Sequence, residues 1–502
     1  FDDLASHAFI DGDTKSFWLP ALAMRFARHL NAVSKMHRDV SRRMWAALFP
    51  GQPEIEMPID YVTNGVHHSW LSEPFIDLLE RHVGADYVRS ACDAQTWDRV
   101  LAIQEDEVWQ AHHRNKQSLI TFIRKKLADD LTSRGYIESK VVKLTRALNP
   151  EYLTIVYARR FARYKRATLI LRDKDRLAKI LTNSTKPVQL IFAGKAHPAD
   201  SLGKGMIREI IDFAKSYQLE DRVVFVENYD MNVARHLVWG ADVWLNNPVR
   251  ENEASGTSGM KAAINGVLNM SVLDGWWPEG YNGRNGWAIT GAEYNNQPDM
   301  QEAAEAEQIY DLIESEISEL YYDRNEAGVP VRWVEMMKQS LCSVCCQFNM
   351  NRVLAEYVDK FYAPATALTE DLTRNQHESL KQALANGRQI VELWDKITIG
   401  GLTTSVDKQE VVAEGEHVEV TCSVDLNGAP AGLFEVELFY MLRDSNEHRI
   451  IPMRPVNPSH RPVVFGCGFE IAGRGLLSIN ARIKPSSPIL QDLHPELVKW
   501  AS

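Results

Sequence analysis

Five short apolar runs between residues 150 and 275 constrain the fold more than any other feature of the chain. They occupy residues 153–158, 188–193, 223–226, 243–245 and 270–273. Helical stretches of roughly 10–18 residues separate most of them, and this alternation is typical of βαβ units. We therefore predict a parallel sheet that is covered on both faces, with ligands bound where its strands end.

The segment after the fourth run, residues 246–261, predicts an anion site. An acidic loop leads into the small residues 254–259, and a helix then begins with Lys261 about one turn inside it. Small residues let backbone N–H groups approach a ligand, and a helix N-terminus adds unpaired donors and a positive dipole end. The pattern indicates a cradle for an anion with an amine beside it.

Residues 159–166 follow the first run and carry five cations in eight positions. A solvated basic helix face is the alternative reading of such a cluster. Because the cluster abuts the end of a strand, we favour phosphate binding. The cations are Arg159, Arg160, Arg163, Lys165 and Arg166.

Further polar side chains follow the other runs. Lys195 and His197 come after the second run and either line the same cleft or have a structural role. Tyr229 follows the third and either positions a ligand or caps a helix. Glu253 suits bidentate hydrogen bonding to neighbouring sugar hydroxyls, or complements a helix N-terminus.

Aromatic and amide side chains after the fifth run indicate either a carbohydrate-stacking surface or the edge of a core. They are Trp276, Trp277, Tyr281, Asn282, Asn285 and Trp287.

The length of 502 residues predicts two to four domains. Helical periodicity extends over residues 19–48, 71–145, 303–322 and 333–390. From about residue 395, short alternating runs with turn signals predict a small antiparallel sandwich.

Charge and cysteine content exclude several classes of partner. The net charge of −11 argues against nucleic acid or an anionic membrane as a partner of the whole surface. Six sparse cysteines fit a reducing cytoplasm. Cys342, Cys345 and Cys346 lack a second ligand pair at zinc spacing, so we expect buried thiols and no metal.

Together these segments resemble the α-glucan phosphorylases, the pyridoxal-phosphate-dependent glycosyltransferases that include glycogen and maltodextrin phosphorylases. Residues 253–261 look like the family's cofactor segment, and residues 159–166 look like its phosphate-binding segment. Residues 31–37, 63–66 and 227–229 match further landmarks. The likeness covers about residues 18–290 and is closest to the short bacterial and archaeal form, whose β-rich end resembles residues 395–502.

The resemblance implies an α/β protein with the two-domain glycosyltransferase B fold, in which a Rossmann-like C-terminal domain precedes a small β-sandwich-like domain. Residues 1–70 would be the last part of the N-terminal glycosyltransferase domain. Residues 71–394 would hold a helical segment and the Rossmann-like domain that binds cofactor and phosphate. Residues 395–502 would form the β-rich domain.

The resemblance also implies phosphorolysis of α-1,4-glucan ends by inorganic phosphate, which gives glucose 1-phosphate with retention. A homo-oligomer or a separate N-terminal half is an expected partner. Most of the family's N-terminal domain, with its glycine-rich substrate loop and a substrate-contacting histidine, is not in these 502 residues. We therefore expect little or no phosphorolysis from this polypeptide alone.

Residue roles follow from the same resemblance. Lys261 would hold pyridoxal phosphate as a Schiff base, and the cofactor's phosphate, not its imine, would be the working group. The substrate phosphate would be bound by Arg160 and Lys165. The cofactor would be held by Arg159, Tyr229, Thr257, Ser258 and Gly259. The glucosyl site would be formed by His37, Asn64, Glu253, Ala254, Ser255 and Gly256.

The chain differs from the longer members of the family at two places, and both differences match the short form. Asp230 stands where those members have a basic residue, and Thr257 is followed by Ser258-Gly259 in place of Gly-Asn.

Two other classes of function remain open from the sequence. A nucleotide-sugar glucan synthase shares the fold but needs no amine at Lys261. A non-catalytic glucan-binding remnant, or one half of a split enzyme, is the other alternative.

Overall fold

The computed structural model describes residues 8–9, 16–291, 297–406, 411–442, 447–457, 460–473 and 475–502. The chain divides into two compact units. One holds Asn31–Val40 and Tyr61–Val358, and the other holds Phe1–Leu30, Ser41–Asp60 and Asp359–Ser502.

Two short strands, β1 (Leu30–Ala32) and β2 (Ile59–Tyr61), come early in the chain. The first unit contains a six-stranded sheet. All pairings in that sheet are parallel, and its order is β5-β4-β3-β6-β7-β8. The strands are β3 (Leu153–Ala158), β4 (Val188–Ala193), β5 (Val223–Val226), β6 (Val243–Asn246), β7 (Leu268–Val272) and β8 (Gly286–Ile289). The predicted parallel sheet is confirmed.

Both faces of the sheet are buried. Because alternate residues of a strand point to opposite faces, one strand can contribute to two cores. Ile155 and Tyr157 of β3 belong to one apolar core, whereas Val156 and Ala158 belong to another. All six residues of β3 are buried. This explains why the strand is a continuous apolar run in the sequence.

Strand β8 was not predicted from the sequence, and the aromatic residues near it are buried. Trp276, Trp277 and Trp287 are at most 4% exposed, and the Trp277 indole donates to the Trp287 carbonyl at 3.2 Å. Asn285 is also buried and donates to the Gly280 carbonyl at 2.7 Å. Of the two readings, the burial of these four residues supports the edge of a core and not a carbohydrate-stacking surface.

Helices surround the sheet and connect its strands. Those of the first unit are Glu73–His82, Ala94–Asp98, Glu105–Ser133, Glu138–Leu144, Lys174–Leu181, Ser201–Ser216, Met231–Gly240, Ser258–Ala263, Trp277–Gly280, Pro298–Leu312, Ser318–Tyr322, Val331–Gln347 and Met350–Tyr357. Lys35–Met44 crosses the boundary between the units, and Leu19–Phe26, Ala363–Trp394 and Pro488–Leu493 lie in the second. Along the described residues, no helix has the length and apolar character needed to span a bilayer.

The second unit contains a seven-stranded antiparallel sheet with its own core. Its order is β15-β14-β11-β12-β13-β10-β9. The strands are β9 (Thr398–Thr404), β10 (His417–Asp425), β11 (Phe434–Leu442), β12 (Glu447–Pro455), β13 (Val463–Glu470), β14 (Leu477–Pro485) and β15 (Lys499–Trp500). Val418, Val420, Cys422 and Val424 of β10 are buried in alternation with exposed or half-buried neighbours, as expected for a sheet with one buried face. The antiparallel strands predicted after residue 395 are therefore confirmed.

Candidate functional site

A cluster of opposite charges forms beyond the carboxyl ends of β3 and β6. One oxygen of Glu253, Oε2, accepts hydrogen bonds from Arg159 Nη2 at 3.1 Å and from Lys165 Nζ at 2.8 Å. The three side chains are at most 10% exposed. Two cations and one carboxylate leave a net positive charge in a poorly hydrated place, which favours an added anion.

Arg159 also has an unused donor. Its Nη1 is buried and, among the described residues, has no hydrogen-bond partner. Such a group is costly unless a ligand or water satisfies it. Tyr229 lies within the electrostatic reach of this guanidinium: burial raises the pKa of its hydroxyl, while the charge of Arg159 opposes the rise.

The end of β4 packs tightly against this arginine. Gly194 has φ +147°, and a Cβ there would lie 2.0 Å from the Arg159 carbonyl oxygen. Only glycine permits this approach, so the small residue has a definite structural role. Beyond it, Lys195 and His197 are exposed, and His197 Nδ1 accepts from the Ala199 N–H at 3.1 Å, a contact within the local turn.

The loop that carries Glu253 is held by a buried carboxylate. Asp274 accepts the Glu253 N–H at 2.9 Å through Oδ2 and the Gly275 N–H at 2.9 Å through Oδ1. Burial raises the pKa of Asp274. A hydrogen bond from the Trp276 N–H to the Ser255 carbonyl, at 3.0 Å, also fixes the loop.

The predicted small-residue segment makes mostly backbone contacts. Ser255 Oγ donates to the Gly256 carbonyl at 3.2 Å, and Gly256 has φ +69°. Ser258 Oγ accepts from the Trp244 indole at 3.2 Å, and the Gly259 carbonyl accepts from Asn269 at 3.0 Å. Thr257 precedes the helix Ser258–Ala263, and its carbonyl accepts from the Lys261 N–H at 3.0 Å.

Lys261 stands one turn inside this helix, as predicted, and its amine lies over an aromatic ring. Its Nζ is 3.9 Å from the centre of the Trp70 ring, and the Arg235 guanidinium is 4.9 Å from the same ring. Burial, together with the charge of Arg235, lowers the pKa of Lys261. The Asn265 amide donates to the Trp70 carbonyl at 3.0 Å and to the Lys261 carbonyl at 2.8 Å, so the backbones that carry the ring and the amine are linked.

Two segments from early in the chain also reach this region. Ser34 Oγ donates to the Ala254 carbonyl at 2.6 Å and accepts the His37 N–H at 3.1 Å. His37 Nδ1 accepts the Val33 N–H at 3.2 Å, and burial lowers the pKa of the His37 ring. Asn64 is fixed through its backbone, whose N–H donates to the Val33 carbonyl at 3.0 Å.

The five cations of the predicted basic cluster have different surroundings. Arg166 pairs with Glu305 and donates to the Asn247 and Pro248 carbonyls at 3.0 and 2.7 Å, so its charge is used in the framework. Arg160 and Arg163 are exposed. The five cations therefore do not form one field: Arg159 and Lys165 share Glu253, whereas Arg166 is neutralised elsewhere.

Asp230 caps the helix Met231–Gly240 by accepting the Val233 N–H at 2.8 Å. The capping role considered for Tyr229 thus belongs to its neighbour.

Of the three cysteines expected to be buried, Cys345 is buried, whereas Cys342 and Cys346 are half-buried. All six cysteines are free, and no group of three or more metal-ligating side chains is present in the described ranges. Burial raises the pKa of Cys342 to about 12 and also raises the pKa of Cys345 well above its ordinary value. Raised pKa values make these thiols unreactive.

Comparison with known proteins assigns the chain to a family. A family model described as carbohydrate phosphorylase matches residues 2–279, and one described as the glycogen phosphorylase C-terminal domain matches residues 394–502. The chain belongs to the carbohydrate phosphorylase family.

Individual relatives agree with this assignment. Glycogen phosphorylase of Aquifex aeolicus is 45% identical over 343 residues, or 68% of this chain and 49% of that protein. Maltodextrin phosphorylase of Thermococcus litoralis is 39% identical over 431 residues, or 86% and 49%. Glycogen phosphorylase of Mycobacterium bovis is 34% identical over 488 residues, or 96% and 56%. The chain spans about half the length of the curated relatives that it matches.

Sequence reasoning missed several residues that organise the site of this carbohydrate phosphorylase family member. Trp70 lies next to the Lys261 amine, and Arg235 lies over the same ring. Asp274 bonds the Glu253 N–H. Ser34 bonds the Ala254 carbonyl, and Glu279 bonds the Lys35 N–H. The signal for Asp274 was its position at the end of β7, before a glycine. Ser34 lies in the segment 31–37 that the family resemblance had already singled out. Trp70, Arg235 and Glu279 carry no local signal, because each acts on a segment that is distant in sequence.

Proposed function

We propose that this chain carries the cofactor and phosphate site of an α-1,4-glucan phosphorylase. The reaction is retaining phosphorolysis: the terminal glycosidic bond breaks, a bond forms between the glucosyl C1 and inorganic phosphate, and a proton passes to the departing O4. The products are glucose 1-phosphate and a shortened glucan. The observation that carries the proposal is Lys261, a half-buried amine of lowered pKa over Trp70, in a segment that follows the Glu253, Arg159 and Lys165 cluster.

The residues fit pyridoxal phosphate. A lowered pKa favours the neutral, nucleophilic amine at Lys261 that an aldehyde requires. The buried Arg159 Nη1 supplies an unused donor for a phosphate oxygen. When bound, the cofactor supplies a phosphate group next to the substrate phosphate that can exchange a proton with it.

The chain's own side chains then bind and orient the reactants. In this proposal, Lys165 and Arg160 bind the substrate phosphate and offset its charge. Arg159, Tyr229 and the backbone of residues 257–259 hold the cofactor's phosphate. The glucosyl hydroxyls are bound by His37, Asn64, Glu253, Ala254, Ser255 and Gly256.

The architecture is proposed to be that of a glycosyltransferase B enzyme. In chain order, the strands of the parallel sheet are arranged 3-2-1-4-5-6, and this order supports a Rossmann-like domain. The antiparallel sheet and its separate core support a β-sandwich-like C-terminal domain. The boundaries at residues 70 and 394, a cytoplasmic location, and a homo-oligomer or separate N-terminal half as partner stay predictions.

Borohydride reduction of the chain with pyridoxal phosphate, followed by peptide mapping, tests the proposal. We expect a label on the peptide that contains Lys261, and none after Lys261→Ala. Lys195→Ala is the matched control, because Lys195 is an exposed lysine at a neighbouring strand end. Absence of the label, with binding of UDP- or ADP-glucose in its place, would instead indicate a nucleotide-sugar glucan synthase.

A further inference from the structure

The carboxylate of Glu279 joins two segments that are far from it in the sequence. Oε1 accepts the Lys35 N–H at 2.9 Å, and Oε2 accepts the Thr63 hydroxyl at 2.7 Å. Glu279 lies in the helix Trp277–Gly280, which begins at the buried Trp277 and has the buried Trp276 as its N-cap residue. One side chain of this short helix therefore contacts both segments.

A second link ties the same region to the Glu253 loop. Ser34, next to Lys35, is fully buried and bonds the Ala254 carbonyl and the His37 N–H through its hydroxyl. Thr63 is 4% exposed. These hydrogen bonds and that of the Thr63 hydroxyl are partly shielded from water, and a buried partner left unsatisfied is costly. The bond from the Lys35 N–H lies at the surface.

These contacts matter because of the residues beside them. His37 is two positions beyond Lys35, and Asn64 directly follows Thr63. Both are assigned to the glucosyl site by the proposed function. Neither segment belongs to the parallel sheet, so their positions relative to Glu253 depend on tertiary contacts alone.

We propose that Glu279 is a positioning residue of the glucosyl site. It fixes residues 33–37 and 61–66 against the Glu253 loop, so that His37 and Asn64 face the sugar in one arrangement. This inference rests on the proposed function. Pre-ordering the two segments lowers the cost of ordering them when sugar binds, and so strengthens binding.

The test uses Glu279→Ala, Glu279→Gln and a control, Glu326→Ala, which removes an exposed carboxylate in a surface turn. Each variant of the 502-residue chain is loaded with pyridoxal phosphate and titrated with glucose 1-phosphate. Hydrogen exchange of residues 33–37 and 61–66 is measured without ligand. The labelling of Lys261 by borohydride is recorded for every variant.

We expect Glu279→Ala to weaken glucose 1-phosphate binding about tenfold, because two hydrogen bonds are lost. Exchange should rise in both segments, while Lys261 labelling stays unchanged. Glu279→Gln should restore part of the affinity, since the amide oxygen still accepts one bond. The control should match the unmodified chain.

Different outcomes separate this inference from the proposed function. Failure of the unmodified chain to label at Lys261 would overturn the proposed function. Normal labelling with unchanged affinity in Glu279→Ala would overturn the positioning role, even if exchange rises. A loaded, unmodified chain that does not bind glucose 1-phosphate would also overturn it.

Discussion

Individual charges in the site are shared, and this sharing decides which of them can serve a ligand. Glu253 takes one hydrogen bond from each of Arg159 and Lys165, and Arg159 retains an unused buried donor. The sequence could place these residues at one edge of the sheet, because parallel strands end on the same side. It could not show that Arg166 pairs with Glu305, since that partner lies on a helix that follows the whole sheet.

The lowered pKa of Lys261 leads to a prediction about pH. Loading with pyridoxal phosphate requires the neutral amine, whose fraction rises as the pH rises through the pKa. Arg235→Gln removes a charge that lowers this pKa. We expect the pKa to rise and the loading rate to reach its half-maximum at a higher pH. The measurement is the rate of absorbance change against pH.

Arg235→Lys is the control for this effect, because it keeps the positive charge beside Trp70. Its profile should stay close to that of the unmodified chain. Equal shifts in both variants would show that packing, not charge, sets the reactivity of Lys261.

Strands and helices pack through close backbone contacts, and the sequence predicts only some of these contacts. Three of the strands, β3, β4 and β5, have the predicted bounds because each is a short apolar run buried on both faces. Strand β8 was missed because its residues Gly286–Ile289 follow a turn rich in amide and aromatic residues. The close packing of β3 and β4 at their ends depends on Gly194.

Gly194→Ala should destabilise the protein. The added Cβ would lie 2.0 Å from the Arg159 carbonyl oxygen, and φ +147° is unfavourable for alanine. We expect the free energy of unfolding to fall by about 2–4 kcal/mol. Urea unfolding at neutral pH measures the change.

Gly205→Ala is the matched control for this substitution. Gly205 lies inside the helix Ser201–Ser216, and a Cβ there has open space around it. We expect a gain of about 0.5–1 kcal/mol, because alanine favours helix. A loss in the control, or no loss in Gly194→Ala, would contradict the steric argument.

At the scale of the whole molecule, a fully buried network of charged side chains joins distant parts of the chain. It centres on Asp242, directly before strand β6. Asp242 accepts hydrogen bonds from His112 Nε2 at 2.8 Å and the Thr154 N–H at 2.7 Å, and it pairs with Lys116. Lys116 also donates to the Tyr321 hydroxyl at 2.6 Å. Burial acts to raise the pKa of Asp242, but Lys116 and His112 outweigh it and lower that pKa.

Asp242→Asn should therefore destabilise the whole fold, because it leaves the buried Lys116 ammonium without its counter-charge. We expect a loss of about 3–5 kcal/mol in the free energy of unfolding at pH 7. Adding Lys116→Met should recover about half of this loss or more. Urea unfolding of the single and double variants measures both effects.

The same network predicts the sign of a pH effect. Because the pKa of Asp242 is lowered in the folded state, its contribution is present above the ordinary carboxyl pKa and is lost as pH falls through the lowered value. The difference in stability between the unmodified chain and Asp242→Asn should shrink on acidification below about pH 4. A difference that grows there would contradict this account.

The sequence by itself determined the parallel sheet, the β-rich end and the position of Lys261 in its helix, because local periodicity and strand-end chemistry are encoded over a few neighbouring residues. Only the tertiary structure decided which cations share Glu253, which pair elsewhere, and that Trp70, Ser34 and Glu279 frame the site. Those contacts join residues tens to hundreds of positions apart. Their selection depends on packing and on the cost of burying unpaired polar groups, which no local pattern records.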